Sequence, residues 1–540
     1  MKGSFRDRLW PPNLLAITFV ALAARSLTAT WTGLTTDEGF AAALAQVGSW
    51  KEFMEHLRHD PNAPLFYALL KIYAQFFGSS DLSMKIFAVL LSTTSVSVIY
   101  LISKRFLGRE LASQLGMMMA LCPPVVRFGT FVRAYVLMPV LSLLCTQACM
   151  EVLARPKSTR WILTYGATIA VLIYSHYWGI FIPLGHVGLV LIGLCQRWFS
   201  WRQLRGWLIG LLFAFVVFLP WLPTFYYQIS QNLSPWAALP ATSYLFLETF
   251  PYIMVGELDV SLIAGQLGNL LCNVLIWIAL LSPRSLIVHA QEDPDSKICF
   301  DGRHWKAVAV CSLLAALVTN FFRPIMRERY FTPFSPLFAV VFLSCFRATF
   351  PRLPAVARYL LPIVLWLPLW LGQLVLFVSL PETSTPAIVK EISESADPQK
   401  DLVLISFQSL APALNFYLPS SIEVVAFPDL VRTCFTRWDG MDSRLRDSQS
   451  MDRLFAKLET VFARGGRIWL VDRARNIRDV DPTDNSLVQG IPFIAADLVR
   501  MDQIRTWLRF HAQQVGINKL APGREFSIFL SVWKGNAAVK

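Results

Sequence analysis

Charge is what this chain has least of. Only 16% of its 540 residues are Asp, Glu, Lys or Arg, against 55% hydrophobic residues, and the mean hydropathy is +0.48. Such a balance excludes a soluble globular chain. A disulfide framework is missing too. Most of the nine cysteines lie within or beside apolar runs (Cys145, Cys149, Cys195, Cys272, Cys311, Cys345), and residues 381–540 contain only Cys434. In apolar surroundings Cys behaves as a small hydrophobe. No Ser-His-Asp arrangement, paired-His metal motif or phosphate-cradling glycine loop occurs, and Gly465-Gly466 reads as a turn. No internal repeat links the two halves. The net charge of +13 does not mark a nucleic-acid groove, because residues 381–540 carry only +1 of it. The remainder lies beside the apolar runs, as in cytoplasmic loops.

What the chain does have is apolar runs of membrane-spanning length. Eleven spans are expected, at roughly 13–31, 82–103, 110–125, 134–154, 161–177, 179–196, 206–225, 259–282, 306–322, 331–347 and 357–380. Lys2, Arg6 and Arg8 before the first run resemble a signal peptide, but further spans follow and the run is read as a retained helix. With the N-terminus inside, the cytoplasmic connections carry 19 Lys and Arg and the outer ones 8. This asymmetry predicts an inner or plasma membrane protein with a cytoplasmic N-terminus and an extracytoplasmic C-terminal part. The expected fold is a polytopic α-helical membrane domain, residues 1–380, followed by a soluble extracytoplasmic α/β domain, residues 381–540. In the latter, Asp401–Ile405, Ile422–Ala426, Arg467–Val471 and Phe526–Trp533 read as strands, and Ser450–Ala463 and Asp497–Val515 as helices. Strands alternating with helices predict a mostly parallel sheet.

Polar residues gather on the outer face. The first outer loop, 32–81, opens with Thr35-Thr36-Asp37-Glu38. An isolated Asp-Glu pair would do no more than solvate a loop, so its neighbours decide its meaning. Leu65 to Phe77 is apolar but too short to cross, and reads as an interfacial or re-entrant helix roofing Asp37. Arg25, inside the first span, either meets a partner there or snorkels to the headgroups. Tyr174-Ser175-His176-Tyr177-Trp178 either forms an interfacial aromatic belt or lines a cavity. Arg323, Arg327 and Arg329 stand on the outside, against the positive-inside trend. Forked guanidinium groups there invite a phosphate, although pairing with Glu328 and the outer acids also accounts for them. A lipid-anchored phosphate is a donor that a membrane cavity reaches directly. Asp37 then serves as general base while arginines steady the departing phosphate.

Four short motifs resemble the polytopic GT-C glycosyltransferases, specifically relatives of the dolichyl-phosphate-mannose–protein mannosyltransferases (glycosyltransferase family 39) and of the lipid A aminoarabinose transferase. They are Asp37-Glu38 after an Arg-bearing span, His59-Asp60-Pro61-Asn62-Ala63-Pro64-Leu65, Arg133-Ala134-Tyr135, and Tyr174-Ser175-His176-Tyr177 with Leu219-Pro220-Trp221-Leu222-Pro223 and Arg329-Tyr330-Phe331-Thr332-Pro333. The resemblance covers about residues 10–380. It implies transfer of a sugar from a polyprenyl-phosphate carrier to a lipid, glycan or protein acceptor, with inversion at the anomeric carbon. By position it makes Asp37 the base, with Glu38 assisting acceptor or metal binding. Arg133 and Arg329 become phosphate contacts, with Arg323 and Arg327 as further candidates. His59, His176, Tyr135, Tyr330 and Arg25 line the cavity. Family members often carry two prolines before Leu where this chain has Asn62-Ala63-Pro64, which leaves the role of His59 open. Some relatives use a divalent metal and others do not, and these residues do not decide between them. A lipid or solute transporter or flippase, or a membrane scaffold displaying the α/β domain, is the competing expectation. Against transport, the reactive residues cluster at one face instead of the midplane.

Overall fold

The computed structural model describes residues 13–31, 33–231, 253–254, 274, 277–278, 300–322, 328–379, 382–473, 492–521 and 528–536. Polar caps punctuate its apolar helices. Asn13 accepts from the Ala16 amide to start α1 (Leu14–Thr28), and Thr35 opens α2 (Thr36–Gln46). Ser49 caps α3 (Trp50–Arg58), which buries Phe53 and Leu57 on one face. Pro64 precedes α4 (Leu65–Phe77), which stops at Gly78. Ser80 caps the long α5 (Asp81–Phe106). Each cap satisfies backbone donors that the first helical turn leaves unpaired.

The helices α6 (Gly108–Leu121), α7 (Pro123–Phe128), α8 (Met138–Ala154), α9 (Thr159–Ser175), α10 (Phe181–Cys195), α11 (Trp201–Phe218) and α12 (Leu222–Ser230) follow, then Gly302–Phe322, Ser335–Thr349 and Ala355–Ser379. Among the described residues four helical stretches are long and apolar enough to cross a membrane: Asp81–Phe106, Tyr177–Cys195, Trp201–Ser230 and Gly302–Phe322. Leu14–Thr28, Met138–Ala154 and Ser335–Thr349 are apolar but shorter. Leu208, Leu212, Phe215 and Val216 stand exposed on α11. Such a face would be a liability in water and is at home in lipid. Helix contacts run through small residues. A Cβ on Gly166 of α9 would lie 2.5 Å from the Gly210 carbonyl of α11, so only glycine permits that approach.

The run expected as one span at 110–125 is two helices, because Pro123 and Pro124 cannot continue α6 and instead start α7. The run expected at 134–154 begins with a short 3-10 turn, Ala134–Val136, before α8. The expected span at 259–282 lies outside the described residues apart from positions 274 and 277–278.

Beyond residue 382 a five-stranded sheet runs in the order β2-β1-β3-β5-β4, with β1 Leu402–Ile405, β2 Glu423–Ala426, β3 Arg467–Arg473, β4 Ala512–Ala521 and β5 Ile528–Gly535. The strands β2, β1 and β3 are parallel, whereas β3–β5 and β5–β4 are antiparallel. The expectation of a mostly parallel sheet therefore holds for one half only. The segment Ala512–Val515, read from sequence as a helix end, is the start of β4. This strand is rich in Gln, Asn and Gly, pairs along one side and shifts register between Gln514 and Asn518. Its weak strand propensity hid it.

This C-terminal part packs directly on the first loop. The Tyr417 hydroxyl accepts from the Leu34 amide at 2.8 Å and donates to Asp81. Phe435 stacks on His56 at 3.7 Å and meets the edge of Phe40 at 5.9 Å. A Cβ on Gly39 would lie 2.6 Å from the Cα of Ala413, in the helix Ala411–Tyr417.

Candidate active site around Asp37

The start of α2 is held by a reciprocal cap. The Thr35 hydroxyl accepts from the Glu38 amide at 3.3 Å, and Glu38 Oε2 accepts from the Thr35 amide at 3.0 Å. Its other oxygen, Oε1, accepts from the Val132 amide at 2.8 Å and from the Lys85 ammonium. Glu38 is 0% exposed and Lys85 1%. The expectation that Glu38 assists acceptor or metal is corrected by this geometry. Its carboxylate is fully committed inward and ties α2 to α5 and to the Phe131–Arg133 segment. One residue earlier, the helical turn points Asp37 the other way, with a third of its side chain accessible.

Two guanidinium groups meet that carboxylate. Arg329 Nη2 lies 3.1 Å from Asp37 Oδ2 and Arg133 Nη2 lies 3.9 Å from the same oxygen. The arginines come from distant chain positions. Arg133 precedes the turn Ala134–Val136, and Arg329 lies in the turn Glu328–Phe331 before the helix Ser335–Thr349. Arg127 bridges Glu328 and Glu382 at 3.0 Å each, which anchors the Arg329 turn. Arg133 also donates to the Asp37 carbonyl at 3.4 Å and to Asn62 Oδ1 at 3.2 Å, and packs over the Tyr67 ring. Burial alone would lower its pKa; Tyr67 and Asp37 foremost hold the guanidinium above its ordinary value, so it stays a cation.

Aromatic side chains wall the site. Arg329 lies over the rings of Tyr135 and Tyr330 at 5.9 and 5.8 Å. His176 packs against the same two rings at 5.2 and 5.4 Å, and its Nδ1 accepts from the Trp178 amide at 3.2 Å. Asp37, Arg133, Arg329, Tyr135, Tyr330 and His176, far apart in sequence, are thus one cluster. The neighbouring 57–62 turn is fixed by Gln228, whose amide donates to the Leu57 and Asp60 carbonyls at 2.9 and 2.6 Å. Tyr177 donates to Gln228 and accepts from Trp221 at 2.7 Å.

Other expected residues lie elsewhere. Arg25 is 0% exposed and neither lines the cavity nor snorkels. It donates to Ser92 Oγ at 2.7 Å and to the Ala21 and Ala120 carbonyls at 3.1 and 3.3 Å, stapling α1, α5 and α6. Those oxygens replace the water it forgoes. His59 pairs with Glu55 Oε1 at 3.1 Å and Asp439 Oδ1 at 3.2 Å. Arg323 and Arg327 lie outside the described residues.

Two residues were missed. Lys85 falls in an expected span, and a buried lysine there needs an acid partner, a signal the sequence did carry. Asp60 is 5% exposed, and its carboxyl accepts from Asn62. Burial pushes it up to about 7, although Arg133 and Asn62 pull it down. Around Asp37 the described donor set does not fit a divalent cation, because one carboxylate is flanked by two guanidinium groups and Glu38 is spent on Lys85.

Residues 60–223 match the family model of the dolichyl-phosphate-mannose-protein mannosyltransferases. By sequence, no curated protein matches the chain. ArnT from Cupriavidus metallidurans bound to undecaprenyl phosphate shares the fold with a TM-score of 0.56 at 14% identity, over 97% of this chain and 98% of that one. The same protein in the apo state gives 0.56 at 13% identity, over 96% and 97%. The Archaeoglobus fulgidus oligosaccharyltransferase tethered with an acceptor peptide gives 0.49 at 10% identity, over 90% and 72%. The chain thus matches the family model of the dolichyl-phosphate-mannose-protein mannosyltransferases in residues 60–223 and shares, over nearly its full length, the fold of ArnT.

Proposed function

We propose that this protein is an inverting glycosyltransferase that moves a sugar from a polyprenyl-phosphate carrier to an acceptor hydroxyl at the extracytoplasmic membrane face. One observation carries the reading: the Asp37 carboxylate, one-third accessible, is bracketed by the guanidinium groups of Arg329 and Arg133. In this reading a base and two phosphate-binding cations meet at one point. When the donor phosphate arrives it competes for both arginines, which frees the Asp37 carboxylate. Asp37 takes the proton of the acceptor hydroxyl as its oxygen bonds to the anomeric carbon from the face opposite the phosphate. The bond from that carbon to the phosphate oxygen breaks, and polyprenyl phosphate leaves with its charge held by Arg133 and Arg329. Tyr135, Tyr330 and His176 enclose the cations and limit water. Arg323 and Arg327 are further candidates for the donor phosphate.

The topology that goes with this reading has eleven spans, a cytoplasmic N-terminus, a membrane catalytic domain 1–380 and an extracytoplasmic domain 381–540. The ArnT fold likeness and the undecaprenyl phosphate bound in that protein support the carrier class. The 19-to-8 split of Lys and Arg between the expected cytoplasmic and outer connections supports the orientation. Purified Asp37→Asn protein should lose roughly 100-fold or more in turnover, the usual contribution of a positioned base. Retained donor binding, followed with a labelled polyprenyl-phosphate sugar, goes with that outcome. Full turnover by the Asn variant would remove Asp37 from this role.

A further inference from the structure

A cavity of about 370 Å³ lies in the C-terminal part, walled by Asp429, Arg437, Asp439, Ser443 and Arg444. It opens on the segment that leaves the carboxyl end of β2, beside the parallel strands β2, β1 and β3. Open α/β sheets bind ligands at that end. The walls are preorganised. Arg444 donates to Asp429 at 2.6 Å, and the Gln408 amide donates to Asp429 at 2.8 Å. Asp439 accepts from Arg437 at 3.0 Å and from the Tyr227 hydroxyl at 3.2 Å, and faces His59. Gln408 is 5% exposed, and its amide oxygen has no hydrogen-bond partner among the described residues.

The chemistry of the lining selects its occupant. Two carboxylates offset two guanidinium groups, so the wall has no excess of either sign. A phosphate needs net positive charge, and a divalent cation needs carboxylates not already paired to arginine. A neutral polyhydroxylated group donates and accepts at each hydroxyl, and matches a wall that alternates acceptors with donors. The cavity is also coupled to the Asp37 cluster. Trp438, between Arg437 and Asp439, hydrogen-bonds Asp60, which holds Asn62, which in turn accepts from Arg133.

We propose that this cavity binds the saccharide part of the acceptor, making the acceptor class a glycan; the acceptor role, though not the saccharide site itself, rests on the transferase reading above. Full-length protein in detergent is titrated with mannobiose, arabinobiose and cellobiose, with inorganic phosphate as control, and binding is followed by saturation-transfer NMR. At least one disaccharide should bind without competition from phosphate. S443W, which fills the cavity and spares the ion pairs, should weaken binding tenfold or more, and Asp429→Asn should weaken it too. Undecaprenyl phosphate binding by the same preparations reports that they are folded. Equal weakening for a free and a lipid-linked form of the saccharide supports the cavity as the reader of either source. The proposal is overturned by absence of saccharide binding, by wild-type affinity in S443W, or by a lipid-linked form whose binding ignores the substitution. Saccharide binding without sugar transfer from any polyprenyl-phosphate donor would overturn the transferase reading and leave the cavity assignment standing.

Discussion

Asp37 and Glu38 are adjacent in sequence and opposite in role. Asp37 faces two arginines, while Glu38 is buried on Lys85, Val132 and Thr35. Removing only the lysine leaves a buried charge without its counter-ion. Lys85→Met should therefore destabilise the fold by about 3–5 kcal/mol, and pairing it with Glu38→Gln should recover part of that, because glutamine keeps one of the two oxygens that accept from the Thr35 and Val132 amides. Thermal unfolding of the single and double variants measures both. Asp60 makes a prediction about pH. Burial raises its carboxyl from 3.8 to about 7, with Arg133 and Asn62 opposing and Asp37 reinforcing the shift. The folded chain then keeps a proton that the unfolded chain has released, so this group's contribution to stability is lost as pH rises through that window. Asp60→Asn should flatten the decline in melting temperature between about pH 4 and pH 7. An unchanged slope would assign the titration to another group. The acid pair was legible in the sequence because charge is scarce here. How Glu38 is spent was not, since that depends on a cap and on a lysine 47 positions away.

At the scale of elements, α2 is the piece on which the site depends, and it is set from both ends of the chain. Its N-terminus is fixed by the Thr35–Glu38 cap, and its Gly39 lies against the helix Ala411–Tyr417. A methyl group at residue 39 would press on backbone, which cannot rotate away. Gly39→Ala should thus cost about 1–3 kcal/mol of stability, in the range of overpacked contacts. It should lower turnover as well, because Asp37 lies two residues earlier in the same helix. Parallel melting and transfer assays test this, and a variant as stable and active as the parent would show that the two helices have slack. Apolar periodicity made the long helices readable, and strands such as Leu402–Ile405 were readable as short apolar runs. The break between α6 and α7 and the polar strand β4 were not. There, local composition favoured continuity or helix, and proline chemistry and sheet pairing decided otherwise.

At the scale of the whole molecule, the C-terminal part is built into the site's support. Tyr417 links Leu34 to Asp81, and Phe435 covers His56 and Phe40. A chain ending at residue 380 would expose those apolar surfaces. It should melt at lower temperature and be cut by protease within residues 33–62, where the full chain resists. Limited proteolysis of both forms in detergent is the check. Equal resistance would make the C-terminal part dispensable to the loop.

The sequence by itself determined the solvent this protein folds in, because apolar runs of that length have no stable home in water. It also marked the outer polar motifs, because charge is rare enough here for each instance to need a reason. Only the tertiary structure decided which of them meet. Asp37, Arg133 and Arg329 span nearly three hundred positions and converge through helix packing, whereas Arg25 and His59, equally conspicuous in sequence, are turned to other partners. Convergence of that kind depends on the directions in which packed helices point their side chains, which a linear pattern does not encode.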